Sequence, residues 1–169
     1  MRAKRPIAAA GLRLLSGSLL VSGPVLVSLG LRAGSLVRSE LVRQRIAFPD
    51  CEELPSGLEG HPGRTVDSGG QARAYAELIK WHLDLATEGR TYAELARESH
   101  EAGDADEKLL DLRDTAWRGE TLRAGLLGAY QAAQLAALVT GLGVLITGLG
   151  AGLLGVSGAL HSHRADHHG

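Results

Sequence analysis

From Ala124 to Leu160 the chain runs 37 residues without a Lys, Arg, Asp, Glu or His. A helix needs about 20 predominantly apolar residues to cross the hydrocarbon core of a bilayer, so this run is long enough for a full span with turns to spare. A second apolar run, Leu14 to Leu31, lies near the N-terminus, and most of the polar sequence is strung between the two. The expected fold class is mainly α: two transmembrane helices flanking a small, mostly helical extracytoplasmic domain with an irregular Pro/Gly-rich N-terminal segment. The boundaries read as residues 1–11 for a cytoplasmic N-terminus, 12–37 for the first span and 38–123 for the middle domain. Residues 124–160 form the second span with its helical extension, and 161–169 a His-rich cytoplasmic tail.

Charge is unevenly spread. The formal net charge is −1, yet Glu40 to Glu120 holds 18 acidic and 10 basic residues, a difference of −8, while Arg2, Lys4, Arg5 and Arg13 crowd the start. An acidic middle domain argues against nucleic acid as a partner, because neutralising phosphates takes clusters of Lys and Arg. The partners expected are the lipid bilayer and either another protein or a second copy of the chain. A domain of this size buries little apolar surface by itself. Cys51 is the single cysteine, so the chain can form no internal disulfide. A lone thiol is its simpler reading and an intermolecular bridge the alternative.

Arg2, Lys4 and Arg5 ahead of an apolar stretch also resemble the start of a secretory signal. The sequence Leu31-Arg32-Ala33-Gly34-Ser35-Leu36-Val37-Arg38 is a poor cleavage site, so an uncleaved anchor is expected. Gly23-Pro24 predicts a kink within it, and Arg13 can snorkel to the headgroups with Arg5. Arg32, Arg38, Arg43 and Arg45 after the span balance the cations before it, so the positive-inside rule does not fix the orientation alone. The signal-like start places the N-terminus inside, and two spans return the C-terminus there.

In lipid, helices associate through close backbone approach at small residues. The first span carries Ser16, Gly23, Gly30 and Gly34, at separations of 7, 7 and 4. The second carries Gly141, Gly148, Gly152, Gly155 and Ala159, at 7, 4, 3 and 4. These two stripes are the packing faces predicted from the sequence, within one chain or between copies, with a Gly- and Ala-rich composition as the alternative source of the pattern.

Between the spans, Ile46 to Gly70 is rich in Pro, Gly and acid, the composition of turns, with one small hairpin conceivable around Arg64-Thr65-Val66. His61, between Gly60 and Pro62, reads as an exposed turn residue. Ala72, Tyr75, Ala76, Ile79, Leu83 and Ala86 then follow helical spacing, and Gly89 supplies a stop. Thr91-Tyr92-Ala93-Glu94 is a capping box that starts a short helix through about Glu98. Ser99 to Asp106 reads as a loop. Glu107 begins a helix, with Leu109, Leu112 and Ala116 on one face, that continues, bent at Gly119, into the second span.

The segments Ala72-Arg73-Ala74-Tyr75-Ala76-Glu77-Leu78-Ile79-Lys80-Trp81-His82, Gly89-Arg90-Thr91-Tyr92-Ala93-Glu94-Leu95 and Leu122-Arg123-Ala124 resemble a family of small two-span membrane proteins from high-GC Gram-positive bacteria. Its members often carry the label "aromatic ring-opening dioxygenase". Val139 to Val144, with Gly141 and Gly143, is similar to the family's second span. Arg90 stands where the family has Lys, and the Gly- and His-rich C-terminal end departs from its pattern. The resemblance implies cytoplasmic termini and an extracytoplasmic middle domain, and it implies no established activity.

The dioxygenase label meets no support in the residues. Non-haem iron of that kind needs two His and a carboxylate with open positions, and His61, His82 and His100 are 21 and 18 residues apart with no helical pairing. His82 is read as a structural histidine bonded to the following turn at Tyr92 or Glu94, with proton or metal handling as the alternative. Gly89, Thr91, Tyr92 and Glu94 belong to the same structural motif. Trp81 and Trp117 read as packing or interfacial residues. His161, His163, His167 and His168, with Asp166, are weak metal candidates because nothing fixes their geometry. No catalytic residue and no cofactor is assigned. Two functions are expected in order: a structural or interaction module of the cell envelope, then a membrane-bound enzyme or metal-handling protein using His82 or the His cluster.

Overall fold

The computed structural model describes residues 4–50, 54–103 and 105–165, with helical side chains described from Gly11 to Gly158. It is mainly helical and, among the described residues, holds no strand longer than a single bridge. Four helices follow in order: α1 (Lys4–Gln44), α2 (Gly69–Thr87), α3 (Tyr92–Glu101) and α4 (Glu107–Ala165). The chain divides into two compact units, one of residues up to Gly34 with those from Leu135 on, the other Ser35–Gln134.

In the first unit α1 and α4 run antiparallel, as their contacts show. Gly30 lies against Ala136 and Thr140, Gly23 against Gly143 and Thr147, and Gly150 against Leu19 and Leu20. A methyl group on Gly23 would sit 2.8 Å from the Gly143 carbonyl oxygen and from the Thr147 nitrogen. On Gly143 it would sit 2.7 Å from the Gly23 oxygen and the Val27 nitrogen. These helices touch backbone to backbone, which only glycine permits. The buried positions are Ser16, Gly23 and Gly30 on one helix and Ala136, Gly143, Gly150 and Ser157 on the other. Each series steps by seven, the period that keeps one seam between two supercoiled helices in register. The hydroxyls in and beside the seam turn back on their own helices: Ser16 donates to the Leu12 carbonyl at 2.7 Å, Thr140 to Ala136 at 2.9 Å and Thr147 to Gly143 at 2.8 Å. No water is needed to satisfy them.

Within the chain, the contact with α1 falls on another glycine phase of α4 than the second-span stripe read from the sequence. Gly141, Gly148, Gly152 and Gly155 would each accept a Cβ with nothing within 4 Å, so they do not meet the first span. Gly143 and Gly150 do. Two residues of helix turn a side by about 200°, which puts the predicted stripe on the opposite face. On the first span Gly23 and Gly30 are in the seam, and Gly34 lies at its edge, its Cβ position 3.9 Å from Ala136 Cβ. Pro24 is carried within α1 without breaking it.

The second unit has its core where the C-terminal turns of α1, the irregular segment, α2 and α4 converge. Leu41, Phe48, Leu58, Val66, Ala76 and Leu126 are its principal buried members. The irregular segment is tied by one antiparallel bridge, Ala47 with Thr65, rather than a full hairpin. Phe48 N–H donates to the Arg64 carbonyl and Val66 N–H to that of Ile46, both at 2.9 Å. Phe48 stacks against His61 (ring centroids 4.9 Å apart) and edge-on to Tyr75 at 5.2 Å, so His61 is half-buried and not a freely exposed turn residue. Cys51 lies outside the described residues.

Helix α2 begins at Gly69, two residues before Gln71. The reason is the N-cap Ser68, whose Oγ accepts from Gln71 N–H at 3.4 Å, while Gln71 Oε1 reaches back past the cap to accept from Asp67 N–H at 2.9 Å. Gly69 packs so closely on α4 that a Cβ there would meet Ala133 Cβ at 2.6 Å. At its other end, Leu83 fills the space over Gly119, where a Cβ would meet Leu83 carbons at 2.6 to 2.9 Å. Gly119 is thus a contact for α2, inside an uninterrupted α4. Ala72, Ala76 and Leu83 are buried as the periodicity predicts, while Ala86 is exposed and Leu78 and Thr87 are buried as well.

Candidate functional site

The feature of the second unit that brings together the most sequence-predicted residues is the turn from α2 to α3 and the face of α4 beneath it. Helix α2 ends where Glu88 and Gly89 both adopt left-handed backbone, φ 56° and 76°. Both amides return to the Asp84 carbonyl, Gly89 N–H at 2.8 Å. That reversal delivers Thr91 as N-cap of α3. Thr91 Oγ1 accepts from Glu94 N–H at 3.3 Å, and the Glu94 carboxylate accepts from Thr91 N–H and from the Thr91 hydroxyl, each at 2.8 Å. The Thr91 amide, then its hydroxyl, holds the Glu94 carboxyl below its ordinary pKa. Helix α3 continues to Glu101, three residues past Glu98, so Ser99 is helical and not loop. Ser99 is buried and its Oγ accepts from Arg113 at 3.1 Å, a tie from α3 to α4.

Arg90, in the turn, joins both helices. Its Nε donates to the Thr87 carbonyl and its Nη1 to Glu98, each at 3.0 Å. A guanidinium can span two such acceptors at once where an ammonium presents a single point. Thr87 beneath it is buried and donates to the Leu83 carbonyl at 2.9 Å.

A cleft of about 790 Å³ opens between this turn and α4. Gly89 to Ala93 form one wall and Ala116 to Ala124 supply much of the other. Tyr92 stacks on Trp117 at 5.2 Å. The charges lining it are paired: Lys80 with Asp84 at 3.0 Å, Arg90 with Glu98 at 3.0 Å and Arg123 with Glu120 at 3.3 Å. Arg123 Nε is buried without a hydrogen-bond acceptor. The cleft therefore offers paired charges and an aromatic pair, a mixed polar and apolar surface, while the unmatched Arg123 Nε is itself buried.

His82 is not part of it. The side chain is exposed on α2 and lies against Trp81, ring centroids 4.9 Å apart. Tyr92 is engaged by Trp117 and Glu94 by Thr91, so the bond expected from His82 to that turn is not made. His61 and His100 also lie outside the lining of the cleft. Among the described residues no group of three or more His, Cys, Asp or Glu side chains is placed to hold a metal ion. The side chains of His161, His163, His167 and His168 lie outside the described residues.

Arg123 is not read from the sequence as a cleft residue, and Trp117 reads there only as a packing or interfacial residue; both line the cleft because α4 passes under the turn, which no local signal encodes. The chain matches no family model, no curated protein and no solved structure.

Proposed function

We propose that the chain is a two-span integral membrane protein, both termini cytoplasmic, that serves as a structural or interaction module of the bacterial envelope by presenting its small helical unit outside the cytoplasm. The observation that carries this reading is the surface of the two long helices. Each has a stretch long and apolar enough to cross a membrane, within Gly11–Gln44 and Glu107–Gly158, with mean hydropathy 1.8 and 2.0. A core helix of a water-soluble protein hides such a stretch. Here only 17% and 11% of the two windows are buried, and Leu14, Val21, Leu138 and Val144 all face outward. So much exposed leucine and valine calls for an apolar solvent. A seam of glycine, alanine and serine is, in addition, the packing that helices use where no hydrophobic force joins them.

The middle unit supports an interaction role through its small core and its mixed cleft under the Gly89–Glu94 turn. The resemblance of the Gly89–Leu95 segment, with those at 72–82 and 122–124, to a family of small two-span membrane proteins points the same way. The test is crosslinking in the native membrane with a photoreactive residue in place of Tyr92, followed by purification of the full chain. A discrete adduct with a protein, lost when the residue is moved to exposed Arg97, supports the reading. An unmodified chain, with alkaline carbonate releasing it from the membrane, would overturn it.

A further inference from the structure

We draw no further inference here: the strongest candidate, the groove of about 820 Å³ between the last turns of α1 and the facing stretch of α4, lined by Trp117, Gly125 and Gly128 among others, is an unpartnered apolar face whose charged residues Glu40 and Arg118 are paired within their own helices, and nothing in the structure shows what covers it.

Discussion

Thr91 illustrates how much one side chain can organise. It closes α3, engages Glu94 through both amide and hydroxyl, and follows a turn whose two left-handed residues leave no slack. Thr91→Ala removes the cap acceptor, a loss of about 1 kcal/mol. Hydrogen exchange across Tyr92–Glu101 should quicken, with residues of α1 unaffected; unchanged exchange in α3 would show that the box does not hold it. The Glu94 carboxyl, with its pKa lowered by the Thr91 amide and hydroxyl, adds a pH dependence. A group whose folded pKa lies below its unfolded one stabilises above the unfolded value, and this contribution is lost as pH falls through the folded one. Exchange in α3 should therefore rise only on acidification below the usual carboxylate range. Glu94→Gln, which keeps an acceptor but cannot titrate, should flatten that response. A response of equal size in Glu94→Gln would assign it to other carboxylates.

At the scale of elements, the seam between the spans is a set of backbone contacts, and its variants should be strongly phase-dependent. Gly143→Ile and Gly150→Ile force a branched side chain against Val27 or against Leu19 and Leu20. Overpacking of this kind typically costs about 1 to 3 kcal/mol. Gly148→Ile and Gly152→Ile enter open space and should leave the pairing intact. The reporter is a disulfide between Gly34→Cys and Ala136→Cys. The Cβ positions lie 3.9 Å apart, inside the range of about 3.5 to 4.5 Å that a disulfide spans. It should form in the parent background, persist with isoleucine at residues 148 or 152, and weaken with isoleucine at 143 or 150. The opposite order would restore the stripe read from sequence. Gly69 and Gly119 follow the same logic in the other unit, where α2 meets α4.

For the whole molecule the decisive property is orientation. On the proposed reading, in which α1 and α4 both cross a bilayer, their antiparallel run would put both ends of the chain on one side. Single cysteines replacing Gly60 or His100, in a Cys51→Ala background, should react with an impermeant thiol reagent on intact cells. A cysteine replacing Ala165 should react only after permeabilisation. Labelling of residue 165 alone on intact cells would reverse the proposed topology.

What the sequence determined by itself was local. Two apolar runs demanded long helices, and Thr91-x-x-Glu94 and the Gly89 stop set α3 where it stands, because capping and backbone preference involve near neighbours only. The first-span seam was legible too, since Ser16, Gly23 and Gly30 form a single heptad series. In the second span glycine recurs every seven residues in two phases, Gly141 with Gly148 and Gly155, and Gly143 with Gly150. Nothing within one helix distinguishes these faces energetically; the distinction arises when a partner helix brings Gly23, Val27 and Leu20 against one of them. The same holds for Gly69 under Ala133, Gly119 under Leu83, and the cleft and groove that share Trp117 as a wall. A close approach is a property of two surfaces, so only the tertiary structure could decide it.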